Sequence, residues 1–313
     1  MKFLGWLEQI RNPVLDFFFS AITYVGDEIV FLAISMFIFW CVDKREGYYI
    51  LITGLVGTLA NQALKLTFRT PRPWVRDPSF NAIASAKPAA EGFSFPSGHT
   101  QNVTGTFGSI AFWTSKKLIF ILSMVIIILV SFSRLYLGVH MPEDVLFSLG
   151  LGGLLALFFY PLFSNEQRFN KLMPYITVIA TLLSVAYLVY AFVATSGDIE
   201  PTEAYSARKN AVTLFGCTLG LIPVYFVDKR FIKFETDARW YAQIIKLSVG
   251  FGVVMGVKIL GGVLFGKNLI ARGVMYFLIV IFAGILWPMT FKFFSKLKIS
   301  CLDKLFDKKQ NCK

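Results

Sequence analysis

The chain has only two histidines, His99 and His140. Both stand among cations where an apolar run begins or ends. Three segments hold the ionisable groups concerned: Lys65 through Arg72-Pro73, then Pro96-Ser97-Gly98-His99, then Ser133-Arg134 followed by His140 and Asp144. Three cations (Lys65, Arg72 and Arg134) gathered at one site would repel each other unless a multiply charged anion completes it. Guanidinium forks suit phosphate oxygens. Snorkelling to the membrane interface is the plainer reading of each cation alone, most of all of Lys65. Arg72 resists that reading because Pro71 and Pro73 restrict the backbone on both sides of it. Ser97-Gly98-His99 opens a helix, whose first N–H groups and positive dipole end favour an anion, with Gly98 permitting close approach. Pro142 suits the first position of the next helix, with Glu143 and Asp144 in its favourable first turn. Helix-end stabilisation alone would account for Asp144. Its spacing of four from His140 also lets the carboxylate reach an imidazole nitrogen, fix the tautomer and leave the other nitrogen free to attack.

These groups need a scaffold, and the composition says of what kind. Of 313 residues 56% are hydrophobic and 16% charged, with 33 phenylalanines. That balance requires apolar solvent around the fold and predicts an all-α, polytopic transmembrane helix bundle. About nine candidate spans are read, near 15–41, 47–67, 99–115, 117–135, 143–163, 172–195, 208–227, 242–265 and 272–294. The third carries Gln101, Asn102, Thr104 and Thr106, so it is expected to face the bundle interior or a water-filled cavity. Residues 1–13 read as a short interfacial amphipathic helix (Phe3, Leu4, Trp6, Leu7, Ile10) rather than a signal peptide, since Glu8 and Arg11 break the run.

The net charge of +12 raises nucleic acid as a partner, but Lys and Arg concentrate in short loops and in the tail from Lys292 to Lys313. That is the pattern of topology signals and anionic-lipid contact, and no nucleic-acid recognition motif accompanies it. Asp43-Lys44-Arg45-Glu46, Lys116-Lys117, Arg168 with Lys171, Lys229 to Arg239 and the tail all fall on one side, which is therefore assigned as cytoplasmic. The N-terminus is then outside and the C-terminus inside. The loop 196–207 is acidic, as an outside loop allows. Residues 68–98 carry Arg69, Arg72, Arg76 and Lys87 on the wrong side for topology, which points to function. Four cysteines (Cys41, Cys217, Cys301, Cys312) show no paired spacing, so no disulfide framework is expected; Cys301 is a weak candidate for palmitoylation.

K-x6-R-P, P-S-G-H and S-R-x5-H-x3-D, in that order, resemble the three signature motifs of the type-2 phosphatidic acid phosphatase superfamily. That superfamily also includes bacterial acid phosphatases, glucose-6-phosphatase, sphingosine-phosphate phosphatases and vanadium haloperoxidases. The motifs run from Lys65 to Asp144. The resemblance implies a phosphatase core over residues 1–165, with 166–313 supplying additional transmembrane helices and the basic tail of one integrated membrane domain. It implies His140 as nucleophile, Asp144 orienting it, and His99 protonating the leaving alcohol and later activating water. Lys65, Arg72, Ser97, Gly98 and Arg134 would hold the phosphate. No cofactor is required and no metal site is expected.

The substrate expected from the motifs' place at the membrane edge is a lipid phosphate or diphosphate: a polyprenyl diphosphate, phosphatidic acid, phosphatidylglycerophosphate or a sphingoid phosphate. The layout of about nine spans is similar to glucose-6-phosphatase, so a sugar phosphatase is the alternative. A non-enzymatic lipid transporter or scramblase would have no need of two positioned histidines. The membrane character counts against a haloperoxidase. An integral protein of the plasma membrane is expected, with its active site extracytoplasmic. The last four spans could shape a lipid access cleft, hold a homodimer or only support the core. Lys258, well inside the eighth span, has no partner legible in the sequence.

Overall fold

The computed structural model describes residues 1–296 apart from 89, 91 and 198. It consists of α1 (Lys2–Gln9), α2 (Pro13–Thr23), α3 (Glu28–Cys41), α4 (Lys44–Phe68), α5 (Pro73–Arg76), α6 (Gly98–Trp113), α7 (Lys117–Tyr136), α8 (Pro142–Phe163), α9 (Glu166–Ala194), α10 (Pro201–Val227), α11 (Trp240–Phe265), α12 (Leu269–Ile281) and α13 (Phe291–Lys296). No strand occurs among the described residues. Starts are marked by side-chain caps: Asn12 accepts from Leu15 N, Asp43 from Arg45 N and Glu46 N, Ser97 from Thr100 N, and Asn165 from Arg168 N. Residue 198 of the acidic loop, Cys301, Cys312 and the tail beyond residue 296 lie outside the described residues.

Nine spans were expected. Among the described residues seven helical runs are long and apolar enough to cross a bilayer, and the pair α2–α3 makes an eighth if counted as one. The expected straight span 15–41 is bent by 50° between Gly26 and Glu28. The ninth is α6, whose 16 residues give only about 24 Å of helix against a hydrocarbon layer of about 30 Å. Its polar side chains explain its place: Gln101, Thr104 and Thr106 are buried, because α4, α7 and α8 pack around it. Outer helices show lipid the opposite face, as with Leu118 and Ile128 of α7 and Val263 and Leu264 of α11, all exposed.

The two halves share a core at the end away from the histidines. Phe39, Trp40, Tyr48, Phe163, Phe169, Tyr225 and Phe291 cluster there, and Trp40 Nε1 donates to Ala283 O at 2.9 Å. Much of the phenylalanine surplus is thus either lipid-facing or in this aromatic stack. α1 differs from its expectation as a purely interfacial helix. Leu4 and Leu7 are fully buried against Phe80, Ala82 and Met141, while Phe3, Trp6 and Ile10 remain exposed. Lys258 has a partner that the sequence did not disclose: its Nζ pairs with Glu28 Oε1 at 3.3 Å, joining α11 to α3.

The cations of residues 68–98 also divide. Arg69, in the left-handed region at φ 46°, donates to Leu66 O and Ala194 O and so closes the ends of α4 and α9. Lys87 lies over the Trp74 ring. Of the four, only Arg72 turns into the site, so function accounts for one charge and helix closure or ring stacking for two others.

Candidate active site

Lys65 lies in the last turn of α4, and the chain then doubles back through Arg72 towards the loop before α6. Lys65 Nζ donates to the carbonyls of Phe93 and Ser94, which ties that loop to the helix end. Arg72 is buried. Its Nε donates to Gly92 O at 3.0 Å and its Nη1 to Val139 O at 2.9 Å. The same Nη1 lies 3.0 Å from His140 Nε2 and 3.5 Å from Nδ1.

His140 is presented by the turn between α7 and α8. Gly138 makes that turn at φ 73°, where a Cβ would also collide with the Phe80 ring. Arg11 clamps the same turn from outside, donating to Tyr136 O from both Nε and Nη2. Across the start of α8, Asp144 Oδ2 lies 3.3 Å from His140 Nδ1. The same oxygen accepts from Ser94 Oγ at 2.5 Å and Met141 N at 2.9 Å. Asp144 is wholly buried.

These contacts select one tautomer. A carboxylate beside Nδ1 accepts the ring proton, and a guanidinium beside Nε2 meets a lone pair, so the proton sits on Nδ1 and the lone pair on Nε2. Burial, then the charges of Arg72, Arg134 and Lys65, hold the His140 imidazole well below its ordinary pKa.

Ser97 is buried, caps α6 through Oγ, and donates its backbone N–H to Asp144 O at 3.3 Å, which joins the start of α6 to that of α8. A Cβ on Gly98 would meet only Asn61 Oδ1, at 3.9 Å. The glycine therefore leaves open the space over the first amides of α6 rather than relieving a clash.

His99 and Arg134 make their contacts elsewhere, at the α2–α3 elbow. His99 Nε2 lies 3.0 Å from Asp27 Oδ1. Arg134 Nη1 donates to Thr23 Oγ1 at 2.6 Å. Its Nε and Nη2 are buried without a partner among the described residues, leaving donors for an anion. Gly26 permits the elbow: a Cβ there would stand 2.9 Å from Val130 Cγ1 and 3.0 Å from His99 Cβ.

Asp27, Thr23 and Ser94 were missed by the sequence reading. Asp27 did leave a signal. Asp27-Glu28 is an acidic pair inside an otherwise apolar run, and ionisable residues at such depth mark function by default. Thr23 and Ser94 left none, since hydroxyls of that kind are common in spans and loops.

Known proteins carry the same arrangement of segments. Residues 46–168 match the model of the PAP2 superfamily, and residues 212–299 match that of the PAP2 superfamily phosphatase transmembrane extension. The chain is similar to phosphatidylglycerophosphatase B of Bacillus subtilis, 32% identical over 157 residues that cover 45% of this chain and 73% of that protein. It is also similar to undecaprenyl-diphosphatase BcrC of Bacillus subtilis, 29% identical over 55% of this chain and 84% of that protein. Among solved structures, a transmembrane PAP2-type phosphatidylglycerolphosphate phosphatase from Bacillus subtilis aligns at 30% identity, over 50% of this chain and 80% of that one, with a TM-score of 0.43. With both family models matched in chain order on a helical membrane bundle, the chain belongs to the PAP2 superfamily and is an integral membrane phosphatase.

Proposed function

We propose that the protein hydrolyses a lipid phosphate or diphosphate ester through a phosphohistidine at His140. One observation carries this: a buried imidazole with a guanidinium 3.0 Å from Nε2 and a carboxylate 3.3 Å from Nδ1. In the first step Nε2 attacks phosphorus, the P–N bond forms and the P–O bond to the alcohol breaks. His99, held by Asp27, gives its proton to the departing oxygen. Positive charge on the phosphorylated ring is balanced by Asp144 through Nδ1–H. In the second step His99 takes a proton from water, the oxygen attacks phosphorus, and the P–N bond breaks to release phosphate and restore His140. Lys65, Arg72 and Arg134, with the Ser97 hydroxyl and the Gly98 amide, hold the equatorial oxygens and balance charge developing on them. The mechanism requires no metal.

The names of the relatives, phosphatidylglycerophosphatase and undecaprenyl-diphosphatase, support a lipid substrate over a sugar phosphate. An extracytoplasmic site in the plasma membrane is the matching orientation. Lys44, Arg45, Lys229 and Lys233 lie at the end of α4 opposite Lys65, around a pocket that Asp43, Glu166, Asp228, Glu235 and Asp237 also line. The concentration of Lys and Arg there supports that end as the inner one, since acidic residues count little towards topology. α1 packs on the loops of the site, in keeping with an outside N-terminus.

Phosphate release in detergent with EDTA present, from a panel of lipid phosphates and glucose 6-phosphate, tests the proposal. Wild-type protein is expected to act on one or more lipids. His140→Ala is expected to abolish turnover, and Asp144→Asn to leave a slow residue. Full activity of His140→Ala would refute the mechanism, and release from the sugar phosphate alone would replace the lipid.

A further inference from the structure

A cavity of ≈ 250 Å³ lies between the half of the chain that carries the motifs and the half that does not. Its wall is polar at the level of the site, where Asn61, Gln62, Gln101 and Asn102 line it beside Gly98. Further along, the lining is apolar: Phe31 and Met36 come from α3, Leu221 and Val224 from α10, and Ile279 from α12. Along α4 the lining runs from Gln62 to Tyr48, about 20 Å of helix at about 1.5 Å per residue. One leaflet's share of the hydrocarbon is about 15 Å. The cavity is thus long, apolar over most of its length and polar at one end, the shape that an extended hydrocarbon chain fits.

The polar end holds an independent sign of a ligand. Asn61 is 1% exposed, yet its Oδ1 and Nδ2 have no partner among the described residues. Gln101, equally buried, leaves Nε2 without one. Buried amides in that state cost about 1 to 3 kcal/mol each unless something bonds them. Asn61 stands beside Gly98 at the edge of the phosphate site, and Gln101 Nε2 lies further in, against Gly57 and Gly105. Glu28 and Lys258 close the wall at this polar end, pairing across α3 and α11.

Resting on the phosphatase reading above, we propose that this cavity is a slot for one hydrocarbon chain of the substrate, built by the transmembrane extension against the motif-bearing half. Asn61 and Gln101 bond the polar group that links chain to phosphate, such as a hydroxyl, amine or second phosphate. The polarity runs as a lipid's does, head at the site and tail towards the membrane centre. The extension thereby selects substrates by chain, which the phosphate-holding motifs alone do not do.

Cys217, which lines the slot and takes no part in the chemistry, provides the test. In Cys217→Trp the ring fills the slot. Its kcat/KM for hexadecyl phosphate is expected to fall about 100-fold, the worth of a few buried methylenes, while that for butyl phosphate stays within about twofold. Equal losses on both substrates, or none on the long one, would overturn the slot. A second measurement does not depend on turnover or on the variant folding. A hexadecylphosphonate carrying a diazirine at its chain end is expected to photolabel the wall around Cys217 and Leu221, with unlabelled hexadecylphosphonate protecting that wall and butylphosphonate not. Protection without hydrolysis of any alkyl phosphate would retain the slot and discard the phosphatase reading. Hydrolysis without protection would do the reverse.

Discussion

Asp27 is the residue whose replacement says most about the chemistry. Asp27→Asn keeps the shape and removes the charge from the contact with His99, 3.0 Å long. A hydrogen bond to a charged group contributes about 1.5 to 3 kcal/mol. The Asp27 side chain is 31% exposed, so water screens the pair and the lower figure, about 1.5 kcal/mol, applies. That is about tenfold in rate. The loss should depend on the leaving group. An alkoxide needs a proton as the P–O bond breaks, whereas a nitrophenolate leaves without one. Since kcat/KM reports events up to departure of the alcohol, the assay compares kcat/KM for an alkyl lipid phosphate and for p-nitrophenyl phosphate in purified protein. We expect about a tenfold loss on the first and about none on the second. Glu166→Gln is the control, an exposed carboxylate at the start of α9 outside both the site and the cavity, and activity on both substrates should hold. A loss for Asp27→Asn that is equal on both substrates, or absent on both, would refute the role given to Asp27 and with it the assignment of His99 as acid.

Two further outcomes follow from the same geometry. Gly26→Ala places a methyl 2.9 Å from Val130 Cγ1 and 3.1 Å from His99 O, so it should cost about 1 to 3 kcal/mol and lower kcat/KM by shifting the start of α6. Gly150→Ala, with nothing within 4 Å of its Cβ, should leave thermal stability and rate unchanged; equal behaviour of the two variants would refute the packing argument. For His140, the folded-state pKa is depressed by burial and by Arg72, Arg134 and Lys65, while the unfolded value is about 6.5. Above that pH the folded and unfolded states are both unprotonated and nothing is lost. Below it only the unfolded state gains the proton, so stability falls with pH by about 1.4 kcal/mol per unit until the depressed folded value is reached. Thermal unfolding of His140→Gln should show a shallower decline below about pH 6.5 than wild type, and parallel curves would show that His140 is not held neutral.

Much of the candidate site is legible because its pieces are short-range. His140 and Asp144 straddle the start of one helix, so a spacing of four brings ring and carboxylate together by local geometry alone. Ser97 as a cap and Pro142 as a first residue are likewise written in neighbouring positions. The nine apolar stretches follow from the length that hydrocarbon demands of a helix, and the polar residues of the third already mark it as interior. What the chain's order does not disclose is which distant surfaces meet. The partner of His99 lies at the elbow between two other helices and comes within reach only because the apolar run 15–41 breaks by 50° and Gly26 nests beneath Val130. The diversion of Arg69 to close α9, the pairing of Lys258 with Glu28, and the slot between the two halves have the same origin. Each depends on side chains far apart in sequence packing at contact distance, and hydrophobic burial, being non-directional, tells a segment to be covered without saying by what.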